Sequence, residues 1–493
     1  MKWTLFSFLY LFLNVSLLPA QSYKDSGLAV ELRSADLVSQ MTLEEKYQQL
    51  LHDAPAIERL GIPAYNWWNE GLHGVARFGR ATVFPQPIGM AATFDCDLVY
   101  RTATAISTEA RAKHNEAVRR GYRGIYTGLT LWSPNINIFR DPRWGRGMET
   151  YGEDPYLTGE LGTSFVRGLQ GDHPFFLRTA ACAKHFAVHS GPESERHSFD
   201  AEPPKRDLYE TYLPAFEKLV NEAHVQGVMT TYSALYGVPS GASTLLLQDL
   251  LMKQWHFDGY VVSDCWAIMD FHLGHKYTES KAESAALALQ SGINLNCGEA
   301  FQALPEAMKL GMIDEAQLDA ALIRLFNTRI RLGLFDEKGE DPYASISADT
   351  IACQSHIALA REAAQKSIVL LKNDGVLPLK KEAERYYVMG PNAADVDVLL
   401  GNYNGQTSDA RTIVEGICGK VSLGTRMEYR RGFTFDSYNR NEINWAMTES
   451  VGADAVIAVV GLSTLVEGEE GESILSDYKG DKRDLSLPAS QIH

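Results

Sequence analysis

A repeated alternation of two kinds of segment constrains the fold of this sequence more than any other feature. From Ser34 to Leu332, short apolar runs that end in polar clusters alternate with longer stretches whose apolar residues recur at helical spacing. The short runs include TAACAKHF, VQGVMTTYSAL, DGYVVSDCW and SGINLNCG, and the longer stretches include KRDLYETYLPAFEKLVNEA. About 300 residues of this texture predict an α/β fold, a (β/α)8-like TIM barrel over residues 34–335, in preference to a small doubly wound sheet.

A second domain is predicted after this region. The polar stretch LFDEKGEDPYASIS is typical of an interdomain linker, which we place at residues 336–360. The segments SIVLLKND, RYYVMGPNA and ADAVIAVVGLS are predicted to be buried strands, so we expect an α/β sandwich domain over residues 361–493. Because the final segment, DLSLPASQIH, has the pattern of a helix start, we expect this domain to be incomplete.

The charge balance and the N-terminus limit the kinds of partner. A formal net charge of −16 leaves no basic field to neutralise phosphates, so we expect neither nucleic acid nor anionic lipid as a partner. Residues 1–20 combine Lys2, an apolar run from Trp3 to Leu18, and Ala20, which is the pattern of a signal peptide. The run is short for a membrane span, so we expect an exported protein, periplasmic or secreted, whose mature chain has no span.

The cysteines and histidines show no metal-binding or redox pattern. Six cysteines are scattered without a CxxC pair, which favours small buried side chains over a zinc site or a disulfide framework. No phosphate-binding loop, dinucleotide fingerprint or metal-ligand cluster stands out, so we expect no cofactor.

Polar side chains that follow predicted strands are the candidates for chemistry. Asp264 follows the strand GYVVS, and barrel enzymes carry catalytic groups at the carboxyl ends of their strands. Other strand ends supply Lys184 with His185, and Tyr232, all of which we expect at one barrel mouth. A helix N-cap or a structural ion pair is the alternative interpretation of Asp264.

The segment NINIFRDPRWGRG adds Asp141, Arg143 and Arg146 to the same predicted mouth. Cations and hydrogen-bond donors there suit a polyhydroxylated ligand, and Trp144 or Trp266 would offer an apolar platform for a sugar face. The alternatives are that Arg143 braces a loop through Asp141 and that Trp144 packs in the core.

Several of these motifs together resemble glycoside hydrolase family 3. They are FRDPRWGR, GEDPYL, ACAKHF, MTTYSAL, GYVVSDCW and, further on, VEGEEGES with GDKRDLSLPASQ, and they extend from about Ala35 to the end of the chain. The resemblance implies a (β/α)8-like barrel joined to an α/β sandwich, with the active site between them. It also implies hydrolysis that retains the anomeric configuration.

The resemblance assigns roles to individual residues. Asp264 matches the family nucleophile, and a second group matches residues that surround the terminal sugar: Arg146, Lys184, His185, Arg196 and Tyr232. The acid/base comes from a second-domain loop in this family, which indicates Glu469 in VEGEE, with Glu467 and Glu470 as competitors. A solvated acidic loop is the alternative.

The proposed roles carry expectations about ionisation. We expect Lys184 and Arg146 to keep Asp264 ionised, because a neighbouring cation lowers the pKa of a carboxyl group. We expect a closed loop to raise the pKa of Glu469 by desolvation.

The stretch YNWWNEGLHGV bears on the sugar that is recognised. The family's glucosidases carry an Asp here and an Arg six residues later, whereas this chain has Glu70 and Ala76, as in the xylosidase branch. A carboxylate one methylene longer would intrude on the hydroxymethyl arm of glucose, which xylose lacks. The expected activity is therefore exo-acting release of terminal β-linked xylose from xylo-oligosaccharides, with a β-glucosidase as the alternative.

Three further accounts compete with this prediction. An N-acetylhexosaminidase would use an Asp-x-His pair, which Glu195 and His197 imitate in spacing. A Schiff-base aldolase or lyase would use Lys184. A non-catalytic sugar-binding protein would keep the fold without the reaction.

Overall fold

The computed structural model describes residues 22–189, 191–336, 339–435 and 444–492. The predicted signal peptide, residues 1–20, lies outside them. The helices of the first domain and the linker are α1 Val30–Ser39, α2 Leu43–Gln49, α3 Pro87–Ala91, α4 Cys96–Arg119, α5 Pro155–Gln170, α6 Lys205–Asp207, α7 Pro214–Asn221, α8 Asp270–Leu273, α9 Lys281–Ser291, α10 Leu304–Lys309, α11 Glu315–Arg331 and α12 Gln354–Ser367. Those of the second domain are α13 Asp397–Leu400, α14 Ile413–Cys418, α15 Trp445–Ser450 and α16 Ala489–Ile492.

The strands are short. They are β1 Asp53–Ala54, β2 Tyr65–Asn66, β3 Thr130–Leu131, β4 Ala180–Phe186, β5 Asp200–Ala201, β6 Gly227–Thr230, β7 Ala234–Leu235, β8 Val238–Pro239, β9 Tyr260–Ser263, β10 Arg385–Met389, β11 Arg426–Arg430 and β12 Ala455–Ala458. Within the described ranges, no helix combines the length and apolar character needed to cross a membrane.

A parallel sheet in the order β3–β4–β6–β9 forms the centre of the first domain. All residues of these strands are buried, which explains why their sequences are continuous apolar runs without alternation. Isolated parallel bridges close the sheet into a ring, joining Val262 to Leu295, Leu51 to Asn296, and Asn69 to Leu131. The ring is the predicted barrel, with one antiparallel pair, β1–β2, where the chain first enters it.

Helices surround this ring, and their starts follow local rules. In the motif GEDPYL, Asp154 caps α5 by accepting a hydrogen bond from the backbone N–H of Leu157 at 2.7 Å, and Pro155 occupies the first turn. Helix α5 then packs against α4 and α7 outside the sheet. GEDPYL is therefore a helix start in this structure.

The second domain contains the parallel sheet β11–β10–β12. Two of the three predicted strands, in RYYVMGPNA and ADAVIAVVGLS, are present as β10 and β12, but only β10 is buried as predicted, since β12 alternates between partly buried and exposed residues. The prediction for SIVLLKND is wrong, because Ile368 and Leu371 are 78% and 92% exposed and the segment forms no strand. Among the described residues the run pairs with neither edge strand of the β11–β10–β12 sheet and lies on the surface after α12.

The cysteines depart from prediction. Cys265 and Cys297, 32 residues apart, form a disulfide, and Cys96 and Cys418 are exposed, so only Cys182 is buried among the unpaired cysteines of the described chain. The two paired residues follow neighbouring strand segments, β9 and the segment of Leu295, so the barrel brings them together. Their spacing in the sequence gives no sign of this proximity.

The predicted linker is docked on the barrel. Arg111 of α4 is buried and donates hydrogen bonds to Asp341 Oδ2 at 2.9 Å and to the carbonyl oxygens of Leu177 and Leu332 at 2.6 and 2.9 Å. Burial lowers the pKa of Arg111 to about 10, so the guanidinium stays charged at neutral pH. The linker boundaries stay a prediction.

Substitution of Arg111 tests whether this anchor stabilises the fold. We expect Arg111→Ala to lower the free energy of unfolding by about 3–5 kcal/mol, because it leaves Asp341 and the carbonyl groups of Leu177, Arg178 and Leu332 without their Arg111 donor. Arg119→Ala on the same helix is the control, since Arg119 is exposed and Glu116 is its one ion-pair partner among the described residues. Urea unfolding of both variants measures the difference, and equal stability would contradict the anchoring role.

Candidate active site

Asp264 lies at the carboxyl end of β9, where backbone contacts hold it from both sides. Its N–H donates to the carbonyl oxygen of Thr230 at 3.2 Å, and its Oδ1 accepts from the N–H of Cys265 at 2.8 Å. Tyr232, after β6, donates its hydroxyl to the carbonyl oxygen of Cys265 at 2.8 Å. The buried Oδ2 accepts no hydrogen bond from the described residues and is the oxygen free to react.

His185 faces that free oxygen as a neutral imidazole. Its Nε2 is 3.6 Å from Asp264 Oδ2, and its Nδ1 donates to Asn137 Oδ1 at 2.9 Å. The side-chain oxygen of Asn137 faces the Nδ1 of His185 because the Nδ2 of Asn137 donates to the carbonyl oxygen of His185. Burial and the neighbouring His189 hold the pKa of His185 well below its usual range.

Glu70 and Lys184 form the buried end of the site. Glu70 Oε2 lies 3.3 Å from Lys184 Nζ, and Glu70 Oε1 accepts from Trp68 Nε1 at 3.1 Å. Burial raises the pKa of Glu70, which Lys184 and Arg77 oppose. Ala76 stands where the family's glucosidases carry an Arg, and it is buried in the core. The next residue, Arg77, reaches the cavity.

A second-domain loop, residues 463–483, is docked closely on two barrel loops. A Cβ on Gly145 would lie 2.1 Å from the carbonyl oxygen of Gly480 and 2.3 Å from that of Gly468, so only glycine fits there. Asp481 accepts hydrogen bonds from the N–H of Gly145 at 2.9 Å and of Glu193 at 2.8 Å. This contact carries the acidic segment VEGEE to the barrel mouth.

Within that segment, Glu469 is the carboxylate that enters the site. Its Oε1 accepts from Arg196 Nη2 and lies 3.2 Å from Arg146 Nη1, and its Oε2 accepts from the hydroxyl of Tyr403 at 2.6 Å. Glu467 instead pairs with Lys482 at 3.0 Å. Glu470 lines the cavity but pairs with Lys479 at 2.8 Å.

The net pKa shifts of the two carboxyl groups are opposite in sign to those expected, although the cations beside Asp264 act in the expected direction. The pKa of Asp264 is raised, because burial outweighs the opposing effect of Arg196, Arg146 and Lys184. The pKa of Glu469 is lowered, because the two arginines and Tyr403 together outweigh its burial. The closed loop therefore holds Glu469 as a carboxylate.

These groups line one cavity of about 180 Å³. That volume is below the roughly 300–1,000 Å³ of pockets for drug-sized ligands, and it suits a single sugar ring. Trp266 is 51% exposed and marks the open side, whereas Glu70 and Lys184 are buried. The lining residues from the prediction are Glu70, Arg146, Lys184, His185, Tyr232, Asp264, Trp266, Glu469 and Glu470.

Arg196 does not line the cavity directly, because Glu469 covers its guanidinium, which lies 4.4 Å from the ring centre of Tyr232. Asp141 and Arg143 were expected beside this cavity and do not line it, and of the two candidate tryptophans Trp266 lines it and Trp144 does not. Arg143 pairs with Asp141 at 2.7 Å, and buried Trp144 donates to Glu193 Oε1 at 3.1 Å.

Several site residues were not found from the sequence. Glu149 accepts two hydrogen bonds from Arg146, and Glu193 accepts one from Arg196. The spacing of three residues in both pairs was an available signal. Tyr403, in the turn-like segment GNYNGQ, carries no such signal, because its side chain contacts residues that lie far away in the chain.

Comparisons with known proteins agree with this architecture. The model of the "Glycosyl hydrolase family 3 N terminal domain" matches residues 28–328, and that of the "Glycosyl hydrolase family 3 C-terminal domain" matches residues 368–493. The chain is 42% identical over 405 residues to a xylan 1,4-beta-xylosidase of Xylanibacter ruminicola, covering 81% of this chain and 47% of the relative.

Solved structures extend the similarity to the fold. A GH3 exo-beta-xylosidase, solved with a xylobiose aziridine activity-based probe, superposes with a TM-score of 0.88 at 32% identity, covering 96% of this chain and 60% of that one. A beta-glucosidase from Erythrobacter marinus superposes with a TM-score of 0.82 at 28% identity, covering 96% and 70%.

The chain spans 47% to 62% of the length of the first curated relatives it matches. The predicted two-domain α/β fold and the predicted family are both confirmed. The chain belongs to glycoside hydrolase family 3.

Proposed function

We propose that this chain is an exo-acting, retaining β-glycosidase that releases terminal xylose from xylo-oligosaccharides. The observation that carries the proposal is the cavity of about 180 Å³ in which Asp264 of the barrel and Glu469 of the second domain meet. Retaining hydrolysis needs such a pair, one carboxylate as nucleophile and one carboxyl group as acid and then base. Similarity to the xylosidases described above supports the choice of sugar.

In the first step, Asp264 Oδ2 attacks the anomeric carbon and the glycosidic C–O bond breaks. Glu469 donates its proton to the departing oxygen, so that the leaving sugar departs as a neutral alcohol. Glu469 must first be protonated, although Arg146 and Arg196 favour its ionised form in the unliganded site. Sugar hydroxyls that accept from these arginines would weaken their hold on Glu469 and raise its pKa.

In the second step, Glu469 is again a carboxylate and takes a proton from water. That water attacks the anomeric carbon from the face the leaving group vacated, and the bond to Asp264 Oδ2 breaks. Two displacements on opposite faces restore the original configuration. His185 keeps its Nε2 lone pair beside Asp264, and being neutral it leaves the nucleophile without a competing proton donor.

Glu70 supports xylose over glucose as the terminal sugar. Its carboxylate is fixed by Lys184 and Trp68 at the buried end of the cavity, where the distal part of a sugar ring would lie. The hydroxymethyl arm of glucose would have to share that space. Similarity to β-glucosidases keeps glucose as the second candidate.

The geometry speaks against the other accounts. Glu195 is exposed, and His197 pairs with Asp270 at 2.8 Å, so the two do not form the acid/base pair of a hexosaminidase. Lys184 pairs with Glu70 and lies 4.9 Å from the ring centre of Tyr403, so its Nζ already has partners and is not presented to a carbonyl substrate as a Schiff base requires. A binding protein without activity would not need both carboxylates in one cavity.

Export is part of the proposal. The N-terminal pattern supports it, and so does the Cys265–Cys297 disulfide, because structural disulfides persist in oxidising compartments. The N-terminal sequence of the mature protein should begin near Gln21, and an intact Met1 would contradict export.

Substitution of each of the three glutamates of VEGEE identifies the acid/base experimentally. We expect Glu469→Gln to lower kcat for xylobiose by at least about 100-fold, because it removes the proton donor. Added azide, which needs no base, should then yield β-xylosyl azide from an activated aryl β-xyloside. Glu467→Gln is the control, because Glu467 pairs with Lys482 outside the cavity. Azide product from Glu470→Gln, with none from Glu469→Gln, would move the role to Glu470.

Glu70→Asp tests the sugar preference. Shortening this side chain by one methylene should lower the ratio of kcat/KM for aryl β-xyloside over aryl β-glucoside by about tenfold. Glu116→Asp, on the surface of α4, controls for the same chemical change and should leave the ratio as in the parent. If the ratio in Glu70→Asp also stays constant, the specificity argument is wrong and the nucleophile assignment is unaffected.

A further inference from the structure

Tyr403 reaches the active site from a second-domain loop that is hydrogen-bonded to the barrel. The carbonyl oxygen of Asn404 accepts from the N–H of Arg77 at 3.0 Å, and Asn402 Nδ2 donates to Glu149 Oε1 at 2.8 Å. Tyr403 itself has φ +53°, an uncommon conformation for a bulky residue. Contacts on both sides of Tyr403 thus hold it in a conformation that aims its ring into the cavity.

The hydroxyl and the ring of Tyr403 make different contacts. The hydroxyl donates to Glu469 Oε2 at 2.6 Å. The ring centre lies 4.9 Å from Lys184 Nζ, 5.2 Å from the guanidinium of Arg77 and 6.0 Å from that of Arg146. Cations at the face of an aromatic ring are attracted to it. One side chain therefore connects the acid/base carboxylate to the cations of the sugar site.

We propose that Tyr403 is the positioning residue of the acid/base: it engages Oε2 of Glu469, so that Oε1 is the oxygen that carries the transferable proton. This inference rests on the proposed function. Oε1 is bound by Arg196 and Arg146 in the unliganded site, and a bound sugar would take over these donors. The hydrogen bond from Tyr403 does not compete with that exchange, because it uses the other oxygen.

The proton transfers of the proposed reaction are compatible with this arrangement. A protonated Glu469 donates from Oε1–H to the glycosidic oxygen while Oε2 still accepts from Tyr403. After the transfer, the carboxylate keeps the same hydrogen bond and accepts a proton from water at Oε1. Tyr403 keeps its own proton throughout, because burial and the charge of Glu469 raise its pKa.

Other charged and titratable groups also face Glu469. They come from the barrel loops, the strand ends and the acidic loop itself: Arg146, Arg196, Tyr232, Asp264 and Glu472. The arginines favour the carboxylate, and Asp264 and Glu472 oppose it. Removing the Tyr403 hydroxyl leaves all of these groups in place, so a change in titration reports the hydroxyl alone.

Tyr403→Phe tests the proposal with two substrates. Xylobiose has a leaving group that needs a proton, whereas 2,4-dinitrophenyl β-xyloside has one that leaves without it. We expect kcat/KM at the pH optimum to fall about tenfold for xylobiose and to stay unchanged for the dinitrophenyl xyloside. The alkaline limb of the kcat profile for xylobiose should move up by about one pH unit, because a hydrogen bond that favours the ionised form is lost.

Tyr429→Phe is the matched control. Tyr429 lies in the same domain on β11, and its hydroxyl donates to the carbonyl oxygen of Gly390 at 3.4 Å, outside the cavity. The activities and the pH profile of Tyr429→Phe should equal those of the parent protein. Equal losses of Tyr403→Phe on both substrates, or an alkaline limb that does not move, would overturn the role of Tyr403 and leave the proposed function standing. Absence of xylose release by the parent would overturn both.

Discussion

The docking of the 463–483 loop on the barrel mouth is the contact on which the site depends. Asp264 belongs to one domain and Glu469 to the other, so their separation is set by how closely two backbones approach. Gly145 permits that approach because a Cβ there would collide with the carbonyl oxygens of Gly468 and Gly480, and Asp481 fixes it with two hydrogen bonds to backbone N–H groups. A shift of about 1 Å at this contact would move the acid/base away from the bond it must protonate, and misplacement on that scale costs about 100-fold in rate.

The unliganded site is held together by charges that pair with one another. Arg146 and Arg196 are each bound from behind by a buried carboxylate, Glu149 or Glu193, and from the front by Glu469. Buried charges are costly without partners, which explains why the carboxylate occupies the donors that a sugar would use. Substrate binding is then an exchange of partners at Arg146 and Arg196. In the proposed mechanism the same exchange converts Glu469 from a carboxylate into a proton donor.

Local sequence patterns predicted part of this arrangement. Continuous apolar runs identified the barrel strands, and a polar residue at the end of such a run identified the position of Asp264, directly after β9, and that of Lys184, which lies within β4. SIVLLKND was misassigned because an apolar run has the same appearance whether or not a neighbouring strand is available. The disulfide and the contacts of the Tyr403 side chain depend on which chain segments meet, and the pKa directions depend on the balance between burial and neighbouring charges. Neither kind of information is present in residue spacing, and the catalytic roles themselves stay predictions.

Covalent trapping tests the central claim most directly. A 2-deoxy-2-fluoro β-xyloside with a dinitrophenyl leaving group should release one equivalent of dinitrophenol and leave the fluoroxylosyl group on the protein, because fluorine slows hydrolysis of the intermediate. Peptide mass mapping should then place the label on Asp264. A label on another carboxylate would contradict the assignment of the nucleophile, and release of dinitrophenol without any covalent label would contradict the retaining mechanism.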